Sequence, residues 1–282
     1  MIHPEFDDAA ASARGVMFDL DGTLILSNRQ LGEYQVLPGA IEVLEELERR
    51  GIPWCALTNG SAYPTARQAG KLRQVGLPIG DERLLTPNSV ASHVFRSRGL
   101  DRVLVLGSEG VVEALRGEGL SAVLPGEDGA GTAEAVYVAW HPECTMEHVH
   151  AACEAVLAGA HFFTASDVPF FATQGGRAFG YSCAIGGAIA RVTGAEPEVT
   201  GKPSLHALQV VAEKLGVAPG EVMVIGDDPR VEIEMAQAGG AIGIGVTTGT
   251  TSLAEWRAQD PSRRPHRVID RIDQVLELGL LG

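Results

Sequence analysis

Residues 16–23 read VMFDLDGT, an apolar run that ends in two aspartates one residue apart, followed by glycine and threonine. Val16, Met17 and Phe18 suit a buried strand. Buried carboxylates are costly unless a cation or hydrogen bonds compensate them, and two close together also repel. A chain that places Asp19 and Asp21 at a strand tip therefore needs a compensating group there. The arrangement suits an open α/β sheet, in which ligands bind beyond the carboxyl ends of the strands.

The flanking pattern agrees. Pro38-Gly39 introduces AIEVLEELERRG, whose Ile41, Val43, Leu44 and Leu47 form a helical apolar stripe, with Gly51 suited to cap its end. IPWCALT then reads as a second strand, closing on Thr58-Asn59-Gly60. This β–helix–β unit is the building block of a parallel sheet. The grammar returns late in the chain: SLHALQVVAEKLG is an amphipathic helix, EVMVIGDD a strand ending again in paired acids, EIEMAQAGG a helix and AIGIGVTTG a strand. Further strand patterns in the middle are RVLVLGS, AVYVAWH and HFFTAS, with helical patterns in GVVEALRGEGL and CTMEHVHAACEAVLAGA.

Four places put chemical groups at or near strand ends: Asp19 with Asp21, Thr58 with Asn59, Lys202 in VTGKPS, and Asp227 with Asp228. A hard cation such as Mg²⁺ takes oxygen ligands. Asp19 and Asp227 could each supply one, a backbone carbonyl another, and the cation would relieve the repulsion of the acids. Thr58, backbone N–H groups at helix starts and Lys202 could bind a phosphate. Such a set suits phosphoryl transfer, where charge on the phosphoryl oxygens must be stabilised. One aspartate can attack phosphorus, and the other can protonate the leaving oxygen and then activate water.

In this order, DLDGT, TNG, GKP and GDD resemble the four motifs of the haloacid dehalogenase superfamily of phosphatases. The resemblance implies a doubly wound, Rossmann-like parallel sheet, with Asp19 as nucleophile and Asp21 as general acid/base. It implies that Thr58, Asn59 and Lys202 bind the phosphoryl group, and that Asp19, Asp21 (through its carbonyl) and Asp227 hold Mg²⁺. Leu24–Leu37 is too short to carry a cap domain, whereas about 140 residues separate Thr58 from Lys202. That resembles the class IIA, NagD-like branch, whose α/β cap is inserted in the second gap. The expected division is a catalytic core over 1–85 and 181–282 and a cap over 86–180. Two departures from the branch stand out. Glu232 occupies a position that is commonly aspartate, so Asp228 and Glu232 are both expected to support the metal ligands. TASD stands where relatives read TNPD. Trp140, His141 and Asp167, in cap loops around 140–144 and 165–171, are expected to contact the leaving group.

The expected activity is Mg²⁺-dependent hydrolysis of a small phosphorylated metabolite through an aspartyl-phosphate. Two alternatives share parts of this chemistry. A phosphorylatable Mg²⁺-binding signalling module would place its acidic pair and its phosphorylated aspartate before both Thr and Lys, whereas Asp227 follows Lys202. A sugar phosphomutase would usually carry its cap in the first gap. The cluster His141, Glu143, Cys144, His148 and His150 superficially resembles a zinc site. On a helix starting near Thr145, however, His148 and His150 point to different faces, which argues against one.

With 22 basic and 36 acidic residues, the net charge is −14, which disfavours nucleic acid and anionic membranes as partners. The N-terminus MIHPEFDDAA lacks a signal-peptide pattern, and no apolar run reaches membrane-spanning length. The four cysteines form no CxxC pair. A cytoplasmic location is expected, and the family resemblance implies a homodimer formed through the cap.

Overall fold

A computed structural model describes residues 1–3, 6, 12–27, 34–173 and 176–281, and of 171–173 and 176–178 only the backbone. Most of the N-terminal stretch 4–11, the centre of the 24–37 segment and the side chain at 171 therefore lie outside the described residues.

The chain begins with β1 (Gly15–Phe18), then β2 (Ile25–Ser27) and β3 (Tyr34–Val36), an antiparallel pair in the segment that is too short for a domain. Helix α1 (Ala40–Arg50) buries Ala40, Val43, Leu44 and Leu47, the stripe read from sequence, while Ile41 sits at its margin. Gly51 ends it at φ 68°, a left-handed conformation that glycine adopts without steric cost, and its N–H donates to Glu48 O. There follow β4 (Trp54–Leu57), α2 (Thr65–Gln74), β5 (Leu84–Leu85) and α3 (Pro87–Ser97).

The middle of the chain supplies β6 (Arg102–Leu106), α4 (Glu109–Gly117), β7 (Ser121–Val123), β8 (Ala135–Val138), α5 (Met146–Leu157) and β9 (His161–Thr164). The hairpin β10 (Phe170–Thr173) and β11 (Gly176–Phe179) precedes α6 (Tyr181–Thr193) and β12 (Glu198–Val199). The last portion holds α7 (Leu205–Leu215), β13 (Val222–Gly226), α8 (Glu234–Gly239), β14 (Ile242–Val246), α9 (Leu253–Arg257) and β15 (Arg267–Ile269).

Two parallel sheets result. The first runs β15-β14-β13-β1-β4-β5, and the second β12-β9-β8-β6-β7. The first is wound outward in both directions from β1, the topology expected from sequence, and β1 lies between β4 and β13. The expected boundary at 180/181 needs correcting, because α6 packs on α5 and β12 pairs with β9 in the second sheet. Its short length and two-residue register hid β12 in the sequence. We propose that the second unit continues to Val199.

Alternate strand residues face opposite layers. Met17, Cys55, Leu57, Val222 and Val224 share a cluster with Val103, Val105, Tyr137 and Phe163 of the second sheet, joined by α3 and α7. Phe95 of α3 is central, meeting Phe163 edge-on at 4.9 Å and Tyr137 at 5.8 Å between ring centroids. Val16, Phe18, Ala56, Met223 and Ile225 face the opposite side, with α1. The outer face of the second sheet packs on α5 and α6. Among the described residues, no helix is long and apolar enough to cross a membrane.

Candidate active site

Register brings the two acidic strand tips together. Phe18 pairs with Ile225, and Asp19 N–H donates to Ile225 O at 2.9 Å, so Asp19 and Asp227 leave neighbouring strands side by side. Gly22, at φ 87°, turns the chain beneath them, and a Cβ there would overlap the Asp227 carboxylate. The loop after β14 closes the other side. Thr250 N–H donates to Asp227 Oδ2 at 2.6 Å, the Thr250 hydroxyl to Asp227 O at 3.2 Å, and the Thr248 hydroxyl to Gly22 O at 2.6 Å. A Cβ on Gly249 would also run into Asp227. The sequence reading missed this loop; its signal was VTTGT at the end of a strand neighbouring β13.

Lys202 arrives from the turn between β12 and α7. Its ammonium pairs with Asp19 Oδ1 and lies 2.7 Å from Glu232 Oε1. Asp19, Lys202, Asp227 and Glu232 are 6%, 1%, 5% and 2% exposed. Asn59 fixes the lysine's backbone from both directions: Lys202 N–H donates to Asn59 Oδ1 at 2.8 Å, and Asn59 Nδ2 donates to Lys202 O at 2.9 Å. The side chain expected to bind phosphate is thus engaged with the main chain of Lys202. Thr58 is buried at the end of β4, and its hydroxyl oxygen accepts from Gly60 N–H at 3.0 Å, leaving its own O–H free to donate to another group. Helix α2 begins only at Thr65, so Thr58 is not its cap.

Of the two residues expected to support the metal ligands, Glu232 reaches the centre and Asp228 turns aside. Asp228 Oδ1 accepts from Arg230 N–H at 2.8 Å, capping a π-helical turn over Pro229–Ile233. That turn carries Glu232 inward, where its Oε2 accepts from Asp228 N–H at 3.1 Å.

The electrostatics show unbalanced negative charge. Burial first, then Asp19, pushes the Asp227 carboxyl up to about 7, against the hydrogen bonds from Thr250. Burial also raises Glu232, although Lys202 attracts its charged form. Burial alone would lower Lys202, but Asp19 and Glu232 more than offset it and hold the ammonium above its ordinary range. Asp21 keeps a solvent-facing surface, yet crowding by protein atoms pushes it up to about 6, with hydrogen bonds to Ser27 opposing and Asp19 adding. Tyr34 is lifted to about 12 by burial and then by the charge of Asp21. One lysine thus faces an excess of carboxylates. Their oxygens form the donor set of a hard divalent cation, which would restore the balance. Among the described residues, Thr23 Oγ1, two positions from Asp21, is the buried side-chain oxygen without a hydrogen-bond partner.

The expected leaving-group residues are distributed differently. Trp140 sits on the seam between the two sheets: its N–H donates to Ser61 Oγ at 3.1 Å, Ser108 N–H donates to its carbonyl at 2.8 Å, and its ring meets Tyr181 edge-on. His141 pairs with His148. Asp167 lines an open cavity of about 400 Å³ with Glu198, Pro203, Ser204 and His206.

Comparison with known proteins extends these observations. A family model described as haloacid dehalogenase-like hydrolase matches residues 16–121, and a second HAD-hydrolase-like model matches 199–275. The 5'-nucleotidase YutF of Bacillus subtilis is 26% identical over 93% of this chain and 96% of its own length. NagD from Escherichia coli K-12 superposes with a TM-score of 0.82 at 21% identity, covering 96% of this chain and 100% of NagD, a likeness of fold. A glycerol phosphate phosphatase from Mycobacterium tuberculosis, in complex with magnesium, superposes at 0.79 with 25% identity over 94% of this chain and 78% of that one.

Proposed function

The chain belongs to the haloacid dehalogenase-like hydrolases with a NagD-like architecture, and from that premise we propose that it is an Mg²⁺-dependent phosphatase acting on a small phosphomonoester. The observation that carries this reading is the convergence of Asp19 and Glu232 on one buried lysine, with Asp227 beside Asp19, at the carboxyl edge of the sheet. Asp19, Asp227 and the Asp21 carbonyl would hold the cation. When bound, Mg²⁺ would neutralise the excess carboxylate charge and draw electron density from the phosphoryl oxygens.

Lys202 pairs with the Asp19 carboxylate and adds positive charge for the phosphoryl group. Thr58 donates its free O–H to a phosphoryl oxygen. Asn59 acts through Lys202, whose backbone it fixes. An Asp19 carboxylate oxygen attacks phosphorus, and the bond to the leaving oxygen breaks. Protonated Asp21, with its raised pKa, gives its proton to that oxygen. Asp21 then takes a proton from water, whose oxygen attacks the aspartyl-phosphate and releases phosphate with Asp19 restored.

Relatives named as nucleotidase and glycerol phosphate phosphatase support a small phosphorylated metabolite as substrate. A cytoplasmic setting, supported by four unpaired cysteines, belongs to the same proposal. So does a homodimer through the second unit, where α5 and α6 expose Met146, Leu157 and Val192. The test is phosphate release from a panel of sugar, nucleotide and short-chain phosphates, with and without Mg²⁺, in ¹⁸O-labelled water. Mg²⁺-dependent release with label in the phosphate supports the reading. A flat response across the panel removes it.

A further inference from the structure

The turn between β8 and α5 gathers three side chains that the carboxylate site does not use. His141 Nε2 stands 3.1 Å from His148 Nδ1. Cys144 Sγ joins them, so that one donor atom from each residue lies within 4.8 Å of the others. All three residues are half-buried. The local chain path explains the meeting. Cys144 N–H donates to His141 O at 3.3 Å, a turn that sets residues 141 and 144 side by side. Thr145 then caps α5, and His148 closes the capping box by accepting from Thr145 N–H at 3.3 Å. That bond folds the His148 ring back over the turn. The objection drawn from His148 and His150 pointing to different helix faces does not apply, because the partner of His148 precedes the helix.

The two rings are nearly parallel, at 12°, with centroids 5.1 Å apart and the facing nitrogens 3.1 Å apart. Nδ1 of His148 has one in-plane lone pair, to which both Thr145 N–H and the His141 ring are directed. Burial, followed by the proximity of His148, holds the His141 pKa below the usual imidazole range, so its ring is neutral near pH 7; Glu143 opposes that shift and favours positive charge there. Two imidazoles and a thiol form a soft to borderline donor set, unlike the all-oxygen set around Asp227. A tetrahedral ion with bonds of 2.0–2.3 Å places its ligand atoms roughly 3.3–3.7 Å apart. The nitrogen pair already stands near that spacing, and a rotation about the His and Cys side-chain bonds brings in the sulfur.

We propose that His141 Nε2, Cys144 Sγ and His148 Nδ1 bind a divalent cation of the zinc class, with Glu143 or water in the fourth position. The Cys144 thiol loses its proton to solvent as sulfur bonds to the cation. Binding at His148 Nδ1 takes the lone pair that accepts from Thr145 N–H, so that bond breaks and the N–H turns to solvent, while the proton on His141 Nε2 passes by solvent exchange to Nδ1 and nothing is oxidised. Burial raises the Cys144 thiol, so apparent affinity increases with pH. Trp140, adjacent to His141, bonds to Ser61 and Ser108, so the ion would brace the turn beside the seam between the sheets.

The test uses the reduced, full-length protein in saturating Mg²⁺, titrated with Co²⁺ and then Zn²⁺. One equivalent of Co²⁺ should give a thiolate-to-cobalt charge-transfer band and the intense visible bands of a tetrahedral ion, both bleached by Zn²⁺. Cys144→Ser should abolish the charge-transfer band. His148→Gln, which preserves the capping-box pattern, should weaken Zn²⁺ binding by about tenfold or more while circular dichroism without Zn²⁺ stays unchanged. Absence of a thiolate band in the parent protein overturns the proposal. So does a band that persists in Cys144→Ser, or undiminished Zn²⁺ affinity in His148→Gln.

Discussion

Lys202 Nζ lies 2.7 Å from Glu232 Oε1, with both side chains almost wholly sealed from solvent. The lysine pairs with Asp19 as well, so Glu232 sets where the ammonium stands relative to the nucleophile. Glu232→Gln keeps the shape and removes the charge. The expected outcome is a fall in kcat of about 10- to 100-fold with KM little changed, the scale typical of groups that orient a metal site. Steady-state kinetics over a Mg²⁺ titration checks it, and an unchanged kcat at saturating Mg²⁺ counts against a positioning role.

Asp19→Asn removes the nucleophile and leaves an isostere beside Lys202. Turnover should fall about 10⁴-fold or more. Far-ultraviolet circular dichroism should match the parent protein. Parent-like phosphate release in this variant would falsify the covalent route.

Metal-free stability should depend on pH in a definite direction. The Asp227 carboxyl is raised from 3.8 to about 7 in the folded protein, so folding favours its protonated form. That contribution is fully present below about pH 4 and is lost as pH rises through 7. Glu232 is raised as well and acts in the same sense. A cation that binds the ionised carboxylates should therefore raise Tm more at pH 8 than at pH 5. Thermal melts with EDTA and with Mg²⁺ at the two pH values measure this, and equal shifts contradict it.

Gly249→Ala should weaken Mg²⁺ binding more than it weakens the fold. The added Cβ runs into the Asp227 carboxylate, which must move or break its bond with Thr250. An overpacking cost of about 1–3 kcal/mol is expected, with a raised Mg²⁺ requirement. Urea unfolding and a Mg²⁺ activation curve separate the two effects.

Tyr137→Phe tests the packing between the sheets. The Tyr137 hydroxyl donates to buried Asn88 Oδ1 at 3.0 Å, and Asn88 Nδ2 in turn holds Ser61 O. Removing the hydroxyl leaves that oxygen unpartnered, a loss of about 1–3 kcal/mol in urea unfolding. An unchanged midpoint in this variant would oppose the account.

The sequence by itself determined the sheet that carries the site, the strand tips that bear its acids, and the run of strands and helices between Thr58 and Lys202. Those features are local: an apolar run fixes a strand, a 3.6-residue stripe fixes a helix, and acids at a strand end need a partner. Tertiary structure decided which groups meet. Glu232 turns inward because a π-helical turn re-aims it, Asn59 spends its amide on the Lys202 backbone, and the Thr248–Thr250 loop holds Asp227. The His141–Cys144–His148 cluster formed because a turn and a helix cap fold onto each other, and β12 joined the second sheet through a two-residue register. Hydrogen-bond partners and ion pairs between distant segments depend on separations of a few ångströms that no sequence period encodes, so only the packed chain settles them.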